Sequence, residues 1–180
     1  MTIQSHINDC IQSIITQRIL FAGSAISKEH LVDSSIDTAA TDGVKILYNE
    51  KFFMDLPYKQ RVTLICHELL HILLGHHLRM RGRDAKLWNI ACDYVINDML
   101  VKMGFTPIDN WLHDSKYSGK SAEDIYAMLK QQSKEQQEQQ SNQSEQSCGS
   151  FEEPKNSQGK AMSDSELNEA KTQAGGREEG

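Results

Sequence analysis

The spacing of apolar residues predicts three substantial helices in the first 130 residues. In the first, Ile3–Phe21, isoleucines and leucines recur every three or four positions. The second, Tyr58–Arg79, follows Pro57 and is apolar on nearly every side. The third is Ala85–Met103, and Gly104 ends it. Because a helix that is apolar all round is a buried one, we expect Tyr58–Arg79 at the centre of the fold.

Between the first two helices, the pattern predicts a small β structure. Residues 44–49 alternate between polar and apolar side chains and form the better strand, with residues 36–40 as a weaker partner. Asp42-Gly43 lies between the two segments and is typical of a tight hairpin turn. Residues 24–34 are ambiguous, and a short helix around Lys28–Val32 is one interpretation of them. The expected fold class is α+β: a mostly helical domain with a small β-hairpin or sheet.

The composition of the chain changes after Lys130. A last short helix is expected over residues 125–130, with Ser121 as its N-cap. Residues 131–180 then carry ten Gln, ten acidic and five basic residues, so they hold five of the six net negative charges. Such a low-complexity polar segment is expected to be disordered. We therefore predict one domain over residues 1–130 and a Gln-rich acidic tail or linker over residues 131–180.

Charge and composition argue against several functional classes. The predicted domain is nearly neutral and lacks the basic footprint of a protein that binds nucleic acid. No apolar run reaches roughly 18 residues, so we expect no membrane span. The N-terminus lacks the features of a secretory signal. Four cysteines without a Cys-x-x-Cys pair favour a reduced, cytoplasmic protein.

The second predicted helix contains the segment His67-Glu68-Leu69-Leu70-His71. Two histidines four residues apart project from one side of a helix, so both imidazoles can reach one zinc ion. Glu68 lies about 100° around the helix from His67, off the metal but beside a metal-bound water, where it can serve as general base. The structural alternative is a pair of core histidines bonded to backbone carbonyls, with Glu68 in an ion pair. A third ligand is needed to favour the metal site.

A third ligand is available on the next predicted helix, where Asp93 and Asn97 face the interior beside an apolar arc. Buried polar groups need partners, and the two imidazoles have the same need. A zinc ion bound by His67, His71 and Asp93 answers both demands and keeps a fourth position for water. Asn97 can then accept a hydrogen bond from the free ring N–H of one ligand histidine. The alternative for Asp93 is a hydrogen bond or salt bridge between helices, without a metal.

His77 is a rival ligand because it follows His67 by ten residues, as in the extended motif His-Glu-x-x-His-x-x-Gly-x-x-His. In that motif a glycine lets the chain turn, but the glycine of this chain, Gly75, comes one place late. Asp93 is therefore the preferred third ligand and His77 the alternative. The neighbouring His76 is expected on the far side of the helix, away from the site.

The segment His67–His71, followed by Asp93 and Asn97, resembles the gluzincin pattern, although gluzincins have Glu and Asp at the latter two positions. More closely, Thr41-Asp42-Gly43 and the segments 66–79 and 88–97 resemble the predicted bacterial zinc metallopeptidase domain found N-terminal to a von Willebrand factor A-like domain. This resemblance covers most of the predicted domain. It implies a zincin-like fold, a cytoplasmic location and a Zn²⁺ cofactor. It also implies a von Willebrand factor A-like domain or protein as partner.

Two functional interpretations follow from these motifs. The first is a zinc-dependent peptidase that cleaves a peptide or protein substrate, with Glu68 as general base. Four side chains are equal candidates for stabilising the oxyanion in this reaction: Tyr48, Tyr94, His113 and Tyr117. The second is a non-catalytic module that binds a metal or a peptide within a larger assembly. A cleft that reaches the Glu68 side of the metal would favour the peptidase.

Overall fold

Helices dominate the part of the chain that the structure describes. The computed structural model describes the backbone of residues 2–146 and the side chains of residues 2–135. A mostly helical architecture with one small sheet confirms the predicted α+β class. In chain order the elements are α1 (Ile3–Gln17), α2 (Ile19–Ser27), β1 (Glu29–Val32), β2 (Ala39–Thr41), β3 (Lys45–Tyr48), α3 (Glu50–Asp55), α4 (Tyr58–Leu73), α5 (His76–Arg79), α6 (Ala85–Lys102), a 3-10 turn (Ser115–Tyr117) and α7 (Ala122–Gln146).

The three strands form a mixed sheet in the order β1-β3-β2. β2 and β3 are antiparallel, with Ala39 opposite Tyr48 and Thr41 opposite Ile46. The Asp42-Gly43 turn joins them, so the predicted hairpin is confirmed. β2 is therefore an outer strand of the sheet, a position that matters for the cleft described below.

β1 is a strand that the sequence did not reveal. It runs parallel to β3, with Glu29 opposite Lys45, so the helix interpretation of Lys28–Val32 was wrong. Three of its four residues are exposed, and only His30 is partly buried. β1 is an outer strand with almost no inward-facing apolar pattern. Its place in the sheet therefore depends on pairing with β3 rather than on a signal in its own sequence.

Two helices predicted as continuous are broken in the structure. α1 ends before Arg18, whose backbone is not helical (φ −133°, ψ 62°), and α2 begins directly after it. The second break separates α4 from α5 at Gly75, which adopts the left-handed conformation that favours glycine (φ 62°). Apolar residues continue across both breaks, so hydrophobic periodicity alone did not indicate them.

α4 lies at the centre of the fold, as its all-round apolar surface predicted. It contacts α1, α2, α6 and β2. Ile65 and Leu69 of α4 are fully buried and share one cluster with Ile14 of α1 and Ile96 of α6. A smaller cluster around Trp88 connects α6 to the beginning of α7. Side chains that project from α4 and α6 are consequently held by packing on several sides.

The last two helices begin where the sequence predicted a boundary. α6 agrees with its predicted limits to within one residue, and Gly104 follows with φ 76°. The Ser121 hydroxyl accepts a hydrogen bond from the backbone N–H of Asp124 at 3.1 Å, which confirms it as the cap of α7. α7 continues to Gln146, however, so its predicted end at Lys130 was wrong.

The predicted tail lies mostly beyond the described residues. The chain divides into two units, Met1–Lys134 and Glu135–Gly180, and the domain limit at residue 130 stays a prediction. Disorder was expected over residues 131–180, but residues 131–146 belong to α7, and residues 147–180 lie outside the described part. Within residues 2–146, no helix combines the length and the apolar character needed to cross a membrane.

The contacts of His30, on strand β1, lead to a prediction about how the stability of the protein depends on pH. Its Nε2–H donates to the Ala25 carbonyl at 2.9 Å, so its Nδ1, 2.8 Å from the Tyr48 hydroxyl oxygen, can accept. Burial lowers the pKa of His30 below its usual value, with the Ala25 hydrogen bond opposing the effect. Between the two pKa values only the unfolded state binds the proton, so stability falls as the pH falls below about 6.5.

We therefore predict that His30→Gln flattens the dependence of unfolding free energy on pH. Urea unfolding of wild type and variant at three pH values between about 7.5 and 5.5 measures the two slopes. Wild type should lose more stability than His30→Gln over this interval, because glutamine takes up no proton. Equal slopes would contradict the assignment of a neutral, partly buried His30.

Candidate metal centre

Two histidine side chains on successive turns of α4 converge on one point. The Nε2 atoms of His67 and His71 lie 3.1 Å apart. The two side chains are largely buried, with 14% and 12% of their surface exposed. Residues four apart on a helix are neighbours, so the helix itself brings the rings together. Packing around α4 then limits the positions that the rings can take.

Asp93 approaches the same point from α6. Its Oδ1 lies 3.1 Å from Nε2 of His71 and 3.4 Å from Nε2 of His67. The three donor atoms all lie within 4.8 Å of one another, which is close enough for one metal ion. The three residues predicted as ligands thus form one cluster. Their role as ligands stays a prediction.

The charge of Asp93 makes the cluster attractive to a cation. Burial opposes ionisation of this carboxyl, but hydrogen bonds with His67 and His71 outweigh burial and lower its pKa to about 2. In the same way, burial lowers the pKa of His67, but Asp93 and Glu68 more than compensate, and the pKa is raised overall. A carboxylate that stabilises a proton on an adjacent imidazole nitrogen can instead stabilise a metal ion bound to the lone pair of that nitrogen.

Asn97 fixes the tautomer of His67. The Asn97 amide group donates from Nδ2 to the Leu112 carbonyl at 2.8 Å, so its Oδ1 points the other way. That Oδ1 lies 2.9 Å from Nδ1 of His67 and can only accept a hydrogen bond. Nδ1 must therefore carry the proton, and a neutral His67 presents its Nε2 lone pair to the cluster. This contact is the one expected for Asn97 from the sequence.

Glu68 lies beside the three-residue cluster rather than within it. Its side chain lines the same cleft, although only 6% of the residue is exposed. Burial raises the pKa of Glu68, while His67 and His71 act in the opposite direction. Among the described residues, no hydrogen bond to its carboxylate is found. The carboxylate is therefore available to a molecule that enters the cleft.

An open cleft of about 640 Å³ gives access to the cluster and to Glu68. One side is formed by residues 38–41, which include strand β2. Another side is the loop 108–112, which contributes the large apolar side chains of Ile108 and Trp111. The cleft thus reaches the Glu68 side of the cluster, the condition set above for the peptidase interpretation.

The four side chains considered as oxyanion stabilisers lie away from the cleft. Among the described residues, those that line it include neither Tyr48, Tyr94, His113 nor Tyr117. Tyr48 is fully buried and bonded to His30, as described above. The sequence could not show these positions, because side-chain type alone does not reveal which face of the core a residue occupies.

His76 is a neighbour of the cluster that the sequence analysis placed on the wrong side. The break at Gly75 changes the direction of the chain, so His76 is buried, with 3% exposed, and its Nδ1 lies 3.2 Å from Nδ1 of His71. Burial lowers the pKa of His76 to about 3, and the charges of His71 and Arg79 act in the same direction. In the sequence, the signal for this change of direction was Gly75, which lies between the helical histidines His71 and His76.

His77, the rival ligand, lies outside the three-residue cluster. It is exposed and lines the cleft, and its ring lies over the hairpin turn. A Cβ atom added to Gly43 would lie 2.7 Å from Nε2 of His77, so the glycine allows this approach. The close approach of the His77 ring explains why a glycine suits position 43. The backbone φ of 93° at this residue also favours glycine.

We predict that Gly43→Ala moves the His77 ring and leaves metal binding intact. The left-handed backbone should cost about 1–2 kcal/mol of stability. Gly82→Ala is the matched control, because Gly82 also has a positive φ (73°) but open space around its Cβ position. The His77 ring resonances and the zinc content of both variants provide the measurement. Loss of zinc in Gly43→Ala alone would favour His77 as a ligand.

Comparison with known families agrees with the chemistry of this cluster. A family model described as "Putative metallopeptidase domain" matches residues 2–179, nearly the whole chain. The chain belongs to this family. Membership of the metallopeptidase-domain family and a cluster of two imidazoles and a carboxylate both indicate a metal site.

A curated relative extends the comparison without adding a function. An uncharacterized protein of Thermotoga maritima is 28% identical over 104 residues, which cover 49% of this chain and 26% of the relative. The chain thus spans about a quarter of the length of the curated relative it matches. No solved structure matches this chain.

Proposed function

We propose that this chain is a zinc-dependent peptidase in which Glu68 acts as general base. The observation that carries the proposal is the position of Glu68. This buried carboxylate lines an open cleft directly beside a cluster of two imidazoles and one carboxylate. A binding module would need the cluster, but it would have no use for a carboxylate placed off the ligand set.

The cluster fits zinc in its donor atoms and in their orientation. Two imidazole nitrogens and one carboxylate oxygen are a common donor set for catalytic zinc, which keeps one further position open. Asn97 directs the lone pair of His67 toward the cluster, as zinc binding requires. The same donor types also serve Fe(II) sites, and elemental analysis of the purified chain distinguishes the two metals.

Glu68 supplies the proton transfer that peptide hydrolysis needs. When bound at this cluster, zinc would acidify a water molecule and polarise the carbonyl of a peptide bond. Glu68 takes the proton released by that water. It then returns the proton to the leaving amine nitrogen, so that the carboxylate is regenerated at the end of the cycle. His67, His71 and Asp93 are the residues that would hold and orient the metal.

Strand β2 supports an extended peptide as substrate. It is an outer strand of the sheet, and residues 38–41 line the cleft. Such a strand can pair with an extended peptide through backbone hydrogen bonds, largely independently of the peptide sequence. Ile108 and Trp111 on another side of the cleft would favour large apolar side chains in the substrate.

The proposed setting of this activity in the cell follows from the sequence motifs and the cysteine pattern. We propose a von Willebrand factor A-like domain or protein as partner and a cytoplasmic location, as the sequence motifs implied. The alternative function, a non-catalytic metal- or peptide-binding module of a larger assembly, predicts binding of the same metal without turnover. The two functions therefore differ in one measurable property.

Incubation of the zinc-loaded chain with a diverse peptide library, followed by mass spectrometry, tests the proposal. We expect new cleavage products whose formation stops when a chelator is added and resumes when zinc is restored. His71→Ala, purified in the same way, should give no products and controls for a contaminating protease. Products that persist in His71→Ala would overturn the proposal.

A further inference from the structure

One side chain of the site has no role in the proposed function. His76 is almost fully buried, and its Nδ1 lies 3.2 Å from Nδ1 of His71. Its Nε2 is buried and has no hydrogen-bond partner among the described residues. A buried imidazole with only one of its two nitrogens satisfied is unusual and calls for an explanation.

The ligand geometry explains the first contact of His76. His71 points Nε2 toward His67 and Asp93, so Nε2 is the atom that would hold the metal. A neutral imidazole that ligates through Nε2 carries its proton on Nδ1. That N–H needs an acceptor, and Nδ1 of His76 lies within hydrogen-bond distance of it. His76 must then be neutral, with its own proton on Nε2.

The protonation of the other ring nitrogen of His76, Nε2, follows from this contact. With the proton on Nε2, the atom without a partner is an N–H donor. The alternative tautomer would place an N–H on Nδ1, directly facing the N–H of His71. The chain therefore leaves one donor of His76 unsatisfied and gives His71 an acceptor. This choice matches the contact between His67 and Asn97, in which an amide oxygen serves the same purpose.

The surrounding structure holds His76 in this position. The indole N–H of Trp88 donates to the His76 carbonyl at 2.9 Å. Arg79, one turn later, donates to Glu123 at 3.0 Å and to the Leu74 carbonyl at 3.1 Å, which ties α5 to α7 and to the end of α4. The left-handed Gly75 begins this short helix. A buried ring with an anchored backbone can keep one orientation.

We infer that His76 is a positioning residue that accepts a hydrogen bond from Nδ1–H of His71 and so fixes the tautomer in which His71 binds the metal. The inference rests on the proposed function, because it assumes that His71 ligates through Nε2. It assigns His76 a role separate from the ligand set. The two ligand histidines are then oriented by different acceptors, Asn97 from α6 and His76 from α5.

Two variants of equal shape separate this role from packing. In His76→Asn, the side-chain Oδ1 occupies the place of Nδ1 and can accept the hydrogen bond. His76→Leu has the same branching without an acceptor. Loss of a group that orients a metal ligand typically weakens metal binding about 10–100-fold. We expect that loss in His76→Leu and recovery of most of the affinity in His76→Asn.

Zinc dissociation constants, measured by competition with a chromophoric chelator, give the comparison without an activity assay. Unfolding of the metal-free variants reports any change in packing. Equal zinc affinity in wild type and His76→Leu, or equal losses in both variants, would overturn the inference. Failure of wild type itself to bind zinc would overturn the proposed function as well, so the two failures are distinguishable.

The zinc-loaded wild type offers a test that does not depend on a variant. Nitrogen-15 spectra of the imidazoles distinguish the two tautomers. We expect a proton on Nδ1 of His71 and a proton on Nε2 of His76. A proton on Nδ1 of His76 in the loaded protein would contradict the proposed hydrogen bond.

Discussion

Asp93→Ala is expected to abolish most zinc binding, whereas His77→Ala should keep about one zinc per chain. Asp93 supplies the negative charge of the cluster and lies 3.1 Å from Nε2 of His71. Its removal leaves only the two imidazoles, and two ligands hold zinc poorly. The loss of affinity should exceed the about 10–100-fold typical of removing a group that only orients a ligand.

Metal analysis after dialysis, together with chelator competition, measures this effect. Asp93→Asn is the matched variant, because it keeps the shape of the side chain and the acceptor for Asn89 while it removes the charge. It should lose zinc nearly as completely as Asp93→Ala. If both Asp93 variants kept zinc and His77→Ala lost it, the extended motif would describe the site and the ligand assignment would be wrong.

Metal binding should also appear as stability. A ligand that binds only the folded state stabilises it, by about 4 kcal/mol at 1,000 times its dissociation constant. Added zinc should therefore raise the unfolding temperature of wild type and of His77→Ala, and leave that of Asp93→Ala unchanged.

The part of the site on regular helices could be predicted from the sequence. His67 and His71 share a face because residues four apart always do so in a helix. Asp93 and Asn97 could be placed toward the interior because the apolar residues of α6 mark its buried side. Helical periodicity is a local property, so one sequence was sufficient to bring these four residues together.

His76 could not be placed in this way, because its position depends on a break within an apolar segment. Hydrophobic periodicity follows apolar residue types, and these continue up to Leu74, directly before the break and α5. Only the conformational freedom of Gly75 indicates that the helix changes direction there. With the helix extended straight through Gly75, His76 would project away from the site, as the sequence analysis concluded.

β1 escaped prediction for a different reason. Its pairing with β3 is parallel and crosses twelve intervening residues, and its exposed side chains carry no strong pattern. The walls of the cleft could not be predicted from local sequence patterns either. Residues 38–41 and the loop 108–112 line one cleft although they are far apart in the chain. Contacts of this kind depend on the packing of the whole domain.

Glu68→Gln should reduce peptide cleavage by about 10²–10⁴-fold, the usual contribution of a general base. Glutamine keeps the shape of the side chain but cannot accept the proton of the attacking water. Because Glu68 lies outside the cluster of His67, His71 and Asp93, the variant should bind zinc with unchanged stoichiometry. The same library and the same mass spectrometry as for wild type provide the rates.

Glu29→Gln is the matched control, since Glu29 is exposed on β1 and the substitution removes the same charge. It should cleave like wild type. Undiminished cleavage in Glu68→Gln would mean that another group accepts the proton or that another enzyme is present, and chelator controls separate these cases. A wild type that binds zinc and cleaves no peptide in a broad library would favour the binding module. In that event the carboxylate of Glu68 beside the cluster would need a different explanation, because metal binding alone does not require it.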